Sequence, residues 1–173
     1  MEAITLSNIE EITELNLTIY EEIISSTVKK LIDNKQTITA AESLTAGMFL
    51  STIASVSGAS AILEGGFITY ANSAKINLLN IDENIINDYG VVSEQVAIAM
   101  ATHSKKMMNS DIGVGLTGVA GPDSLENRPV GTVYIGLSIN EQNKAYKFIF
   151  FGDRQLIRRK AVIAAMMLIQ EKI

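Results

Sequence analysis

Apolar residues recur at helical spacing through Ile19, Ile23, Ile24, Val28, Leu31 and Ile32, which predicts an amphipathic helix over Leu17 to Asp33, ended by Asn34 and Lys35. TITAAE then reads as a short strand and Thr45 to Ser55 as a helix. Gly58 to Glu64 makes a connection with a turn. GGFITYA follows as a strand whose paired glycines indicate a bulge or a close backbone approach. A short helix, Ser73 to Leu79, leads to a loop around Asp82 to Val91. Ser93 caps a second long helix with Val96, Ala97, Met100 and Met107 on one face. DIGVGLTG is an apolar strand opening into the glycine loop GVAGPDSLENRP, and VGTVYIGLSI and KAYKFIFFG form two strands about a turn at Glu141 to Asn143. Asp153 caps the last helix, whose Leu156, Ile157, Ile163, Met166, Met167 and Ile169 face the core.

This alternation is that of an α/β layered domain with a mixed sheet. Residues 1–16, polar and acidic, read as an N-terminal extension forming a short helix or arm, with residues 17–173 as the domain proper. A length of 173 residues, 47% hydrophobic and 19% charged, suits one globular domain with a sizeable core. The net charge is −5 and the basic residues are scattered, apart from a cluster at Arg154, Arg158, Arg159 and Lys160, so nucleic acid is disfavoured as a partner. With no cysteine there is no disulfide framework and no thiolate chemistry. The acidic start lacks the features of a signal peptide, and the longest apolar run, AVIAAMMLI, is too short for a membrane span of about 20 residues. A soluble, cytoplasmic protein without membrane contact is the expectation.

A single histidine constrains the chemistry, because a Ser-His-Asp triad or a His-rich metal site would have to pass through His103. That residue lies mid-helix in line with Val96, Met100 and Met107, which suits packing, so hydrolysis would need another base. Ser43, where strand gives way to helix, admits two readings. It is an N-cap, or it is a nucleophile at the sheet edge where open α/β sheets place ligands, with helix N–H groups behind it to hold an oxyanion. Glu42 beside it is either a buried hydrogen-bonding carboxylate or a surface charge. If GGFITYA neighbours TITAAES, Tyr70 and Lys75 arrive at the same edge, and a Ser-Lys pair with Tyr70 as relay or orienter becomes possible. The alternatives are a half-buried strand tyrosine and a solvated lysine. LTGVAGP can bring backbone N–H groups to a phosphate or simply turn the chain. Arg154 and Arg158, one helical turn apart, form either an anion clamp or an exposed basic face.

In order, AESLTAG, GGFITYANSAK, GVVSEQVAIAMA, GLTGVAGP, RPVGTVYIGL and FGDRQLIRRKA resemble the C-terminal domain of the competence/damage-inducible protein CinA, whose stand-alone members are nicotinamide-nucleotide amidohydrolases. The resemblance runs from about residue 20 to the end. It implies a three-layer α/β/α single domain with a mixed sheet, no metal or cofactor, and a homo-oligomer of two or more copies. It also implies a small-molecule nucleotide substrate, nicotinamide mononucleotide, hydrolysed at its carboxamide to nicotinate mononucleotide and ammonia. The matching catalytic residues are Ser43 as nucleophile with Tyr70 and Lys75. The matching substrate-binding residues are Glu42, Leu44, Thr45, Thr117, Gly118, Gly121, Arg154 and Arg158, the two arginines for the phosphate. Longer relatives carry a nucleotide-pyrophosphatase domain in front, for which these 173 residues leave no room. The chain departs from the family's usual AESCTGG at Leu44 and Ala46, and has DSLENRP, with Arg128 where a lysine is more usual, after GVAGP. A nucleotide-binding or regulatory module with weak catalysis, or an amidase with another substrate, are the alternative readings.

Overall fold

The computed structural model describes residues 4–173. Its elements are α1 (Leu17–Asn34), β1 (Ile38–Glu42), α2 (Met48–Ala54), a 3₁₀ turn (Ala59–Ala61), β2 (Phe67–Ile68), α3 (Asn72–Leu79), α4 (Glu83–Tyr89), α5 (Glu94–Met108), β3 (Ile112–Gly118), β4 (Thr132–Ile139), β5 (Gln142–Ile149) and α6 (Arg154–Lys172). The strands form one mixed sheet in the order β2-β1-β3-β4-β5. β1 is parallel to both neighbours, through Ala41↔Phe67 on one side and Ile38↔Ile112 on the other, whereas β3, β4 and β5 run antiparallel. One face of the sheet packs on α1, α2 and α6, the other on α3, α4 and α5, giving three layers with an apolar cluster on each side.

The two faces are filled differently. On β3, Ile112, Val114 and Leu116 are buried in the cluster with α1 and α6, while the alternate Gly113 and Gly115 lie under α5. A Cβ at Gly115 would stand 2.2 Å from the Ala97 carbonyl oxygen, and one at its cross-strand partner Gly136 would stand 2.1 Å from the same oxygen. α5 therefore rests directly on sheet backbone. Gly136→Ala has no flexible side chain to push aside and is expected to destabilise by about 1–3 kcal/mol. Urea unfolding would register this as a lower midpoint, and an unchanged midpoint would mean that α5 does not sit this close.

Several boundaries differ from expectation. α1 begins as predicted, because Asn16 Oδ1 accepts from the N–H groups of Thr18 and Ile19, and it runs to Asn34 before Lys35 turns left-handed. The 82–91 loop contains α4, capped by Asp82, and the hairpin turns at Asn140–Glu141, one residue earlier than expected. GGFITYA contributes only Phe67–Ile68 to the sheet, although a Cβ at Gly66 would lie 2.7 Å from the Ala40 carbonyl, so the glycine marks the expected close approach. Met107 is 48% exposed rather than sharing the buried face of Val96, Ala97 and Met100. α6 is buried all round from Lys160 to Met166, beyond the one-sided face that was expected, and Leu156 and Met167 are only half-buried.

Of the N-terminal extension, residues 1–3 lie outside the described residues, and the remainder packs against the domain with Ile9 fully buried. The Glu10 carbonyl accepts from Phe151 N and Lys160 Nζ, and its carboxylate accepts from Ile149 N. Lys160 thus leaves the expected basic cluster for the interior, where burial lowers its pKa. Among the described residues no helix is long and apolar enough to cross a membrane.

Candidate active site

From β1 the chain passes through α2 on one face to β2, then through α3, α4 and α5 on the other face to β3. The chain therefore leaves the adjacent parallel strands β1 and β2 on opposite faces of the sheet, and the crevice at such a switch point is where open α/β sheets bind ligands. Ser43 is the first residue past β1, its N–H donating to the Leu116 carbonyl of β3 at 2.9 Å.

Ser43 does not cap α2. Ala46 (φ +49°) and Gly47 (φ +92°) are left-handed, so residues 43–47 turn and the helix starts only at Met48. Ala46 thus occupies, with some strain, a conformation that glycine adopts freely, at the place where the family pattern has glycine. The cap comes from Glu42. Its Oε2 accepts from Gly47 N (2.9 Å) and Phe49 N (3.1 Å), and Oε1 from Leu50 N (2.9 Å). Glu42 is fully buried, so it is a structural carboxylate and not the expected substrate contact. The N–H groups of Gly47, Phe49 and Leu50 at the start of α2 are therefore occupied. Those of Leu44 and Thr45, in the turn before the helix, donate to no acceptor among the described residues.

β2, although short, brings α3 to the same edge. Lys75 Nζ lies 3.2 Å from Ser43 Oγ, 2.7 Å from the Thr69 carbonyl and 3.5 Å from the Tyr70 carbonyl. The residue has no exposed surface, and desolvation lowers its pKa from 10.5 to about 8, opposed by the negative charge of Glu126. In the neutral amine, two hydrogens can face the two carbonyls, which leaves the lone pair for the Ser43 hydroxyl.

Ser43 and Lys75 line a cleft of about 150 Å³ with Leu44, Asn72, Thr117 and Gly118. Thr117 is also tied to the α4–α5 connection by its hydroxyl, which donates to the Val91 carbonyl at 2.8 Å. Tyr70 lines the mouth, 59% exposed, its phenol accepting from Arg154 Nη2 at 3.0 Å. The phenol makes no hydrogen bond to Lys75 or Ser43, so the expected relay is not assembled. Arg154 also donates to the Gly121 carbonyl at 2.6 Å, which bridges the glycine loop to Tyr70.

Arg158 does not form a clamp with Arg154. Its Nε donates to the Leu44 carbonyl (2.9 Å) and its Nη2 to the Thr45 carbonyl (2.8 Å), pinning the turn that carries Ser43 from behind. Thr45 is buried, and neither it nor Gly121 lines the cleft. His103 is half-buried outside the cleft, its Nδ1 2.6 Å from the Leu79 carbonyl, so it packs as expected. Asn72, Leu125 and Glu126 were not singled out from the sequence, although Asn72 stands between Tyr70 and Lys75 in one of the quoted segments. A larger groove of about 770 Å³ between α1 and α2 contains none of these groups.

Comparison with known proteins adds to this geometry. Residues 20–173 match the family model described as the CinA C-terminal domain. A competence-damage inducible protein of Lactiplantibacillus plantarum is 50% identical over 149 residues, covering 86% of this chain and 36% of that protein. The chain spans about a third of the length of the curated relatives it matches. The crystal structure of a CinA superfamily protein from Escherichia coli has a TM-score of 0.87 at 29% identity, covering 98% of this chain and 99% of that one. A CinA superfamily structure from Klebsiella pneumoniae has a TM-score of 0.86 at 27% identity, covering 88% and 96%.

Proposed function

Because the chain belongs to the CinA C-terminal domain family, we propose that it hydrolyses the carboxamide of nicotinamide mononucleotide to nicotinate mononucleotide and ammonia, with Ser43 as nucleophile and Lys75 as base. The observation that carries this reading is the 3.2 Å approach of a fully buried lysine, with its pKa lowered to about 8, to a serine hydroxyl at the sheet's switch point.

Neutral Lys75 takes the hydroxyl proton as Ser43 Oγ attacks the amide carbon, and the carbonyl oxygen becomes an oxyanion. The N–H groups of Leu44 and Thr45, which follow Ser43 and donate to no acceptor among the described residues, are the donors offered to the oxyanion, and Arg158 holds the carbonyls of the same two residues in place. The Lys75 ammonium returns the proton to the departing nitrogen, and ammonia leaves with an acyl-serine behind it. Water then attacks the acyl carbon while Lys75 accepts one of its protons, that proton passes to Ser43 Oγ as the acyl–oxygen bond breaks, and the carboxylic acid so formed gives its remaining proton to solvent on release as the carboxylate. Tyr70 has no proton to carry here. With Arg154 it shapes the mouth and positions the glycine loop.

Incubating the protein with the mononucleotide is expected to release ammonia and nicotinate mononucleotide in equal amounts, and Ser43→Ala is expected to lower the rate by about 10³-fold or more. No turnover by the parent protein, or undiminished turnover in the variant, would sink the reading. The rate should also follow deprotonation of Lys75. Below pH 8 kcat/KM is expected to climb nearly tenfold per pH unit and to level off above it. A profile flat from pH 6.5 to 9 would remove Lys75 as the base.

A further inference from the structure

The catalytic cleft holds about 150 Å³, below the roughly 300–1,000 Å³ of typical ligand pockets, so it suits an amide-bearing ring but not a whole nucleotide. A second cavity of about 400 Å³ adjoins it, sharing Asn72 and lined further by Asn87, Tyr89, Gly90, Glu126 and Arg128. Leu125 faces the first cavity and its neighbour Glu126 the second, so the DSLENRP loop separates and joins the two.

The loop carries Glu126, exposed, at the edge of the second cavity. Leu125 and Arg128 exchange backbone hydrogen bonds of 3.2 and 2.8 Å about a two-residue turn, with Glu126 at φ +51° and Asn127 at φ +59°. Such turns favour Asn, Asp or Gly at both positions, so a glutamate in the first carries backbone strain. On the opposite wall, a Cβ at Gly90 would lie 2.5 Å from Glu126 Oε2. A strained residue and a glycine that clears room for it both serve one carboxylate. Among the described residues that carboxylate receives only a long contact from Val92 N, at 3.5 Å, and keeps its acceptor capacity for the cavity.

We propose that this second cavity seats the sugar-phosphate part of the nucleotide, with the Glu126 carboxylate accepting hydrogen bonds from the vicinal ribose hydroxyls and Arg128 facing the phosphate. The inference rests on the function proposed above and extends it. Carboxylates are the usual acceptors for ribose hydroxyls in dinucleotide sites. Arg128 is the cation lining this cavity, whereas Arg154 is engaged with Gly121 and Tyr70 and Arg158 with the Ser43 turn. A substrate whose amide reached Ser43 would then extend past Asn72, the residue common to both cavities.

Binding to the Ser43→Ala protein, followed by calorimetry, tests this apart from turnover. Adding Glu126→Gln is expected to weaken nicotinamide mononucleotide about 10- to 100-fold, while the 2′,3′-dideoxy mononucleotide binds equally with or without that change. Adding Arg128→Ala is expected to weaken the mononucleotide but leave nicotinamide riboside unaffected. An equal loss for both sugars overturns the proposal. So does a Glu126→Gln enzyme, Ser43 intact, that only shifts the pH profile and binds the mononucleotide normally, because the carboxylate would then act through Lys75. If the parent protein neither binds nor hydrolyses the mononucleotide, the function and this inference fall together. If it hydrolyses the mononucleotide and neither variant affects binding, only this inference falls.

Discussion

Lys75→Met is expected to end amide hydrolysis and, at neutral pH, to make the protein harder to unfold. On the proposed mechanism the activity loss follows from removing the base that takes the serine proton and returns it to the departing nitrogen, a contribution of about 10²–10⁴-fold. The gain in stability follows from the same burial that makes the lysine useful. Its pKa is about 8 in the folded protein against 10.5 ordinarily, so the unfolded chain binds that proton more tightly. Below pH 8 both states are protonated, and the fold carries the whole penalty of the buried ammonium, on the order of 3 kcal/mol. Between about pH 8 and 10.5 only the unfolded state holds the proton, so stability of the parent protein rises with pH as the penalty fades.

Methionine removes the charge but leaves the Thr69 carbonyl without its 2.7 Å donor, so the net gain at pH 7 is expected to be about 1–2 kcal/mol. That corresponds to a Tm higher by about 2–8 °C. The gap should close when both proteins are unfolded near pH 10. A variant less stable than the parent at pH 7, or a gap independent of pH, would show that the lysine is not held at a penalty.

Glu42→Ala is expected to produce the largest loss of stability of any single change at the site, about 3–5 kcal/mol. The carboxylate has no exposed surface and accepts from the N–H groups of Gly47, Phe49 and Leu50, so alanine leaves three donors at the start of α2 without an acceptor and a void beside them. Glu42→Gln keeps one acceptor oxygen but turns an amide NH₂ toward a donor, and should fall between the two. Urea denaturation of the three proteins checks the order. An alanine variant within about 0.5 kcal/mol of the parent would mean that α2 does not depend on this cap. Because Glu42 directly precedes Ser43, turnover by the folded fraction is expected to drop as well.

Ser43, Leu44, Tyr70, Lys75, Thr117, Gly118 and Arg154 of the cleft lining were named before the fold, Asn72 and Leu125 were not, and the arrangement of all of them was open. Ser43, Tyr70 and Lys75 stood in recognisable segments, yet the sequence left open whether their strands were neighbours. The pairing of Glu42 with Ile68 answers that, although only Phe67 and Ile68 of the expected GGFITYA strand join the sheet. Tyr70 was grouped with the lysine by proximity in the chain. The turn after β2 instead sends the Lys75 amine inward and leaves the phenol at the surface with Arg154.

The sequence by itself determined the alternation of helices and strands, the caps at Ser93 and Asp153, and the exclusion of thiol chemistry, because these follow from local periodicity, short-range hydrogen bonding and residue type. Only the tertiary structure decided that Glu42 caps α2, that Arg158 secures the serine turn from 113 and 114 residues away, and that Lys75 loses its water. Those are properties of burial and long-range approach: desolvation and hydrogen-bond partners are set by what packs around a side chain, which its neighbours in the chain do not specify.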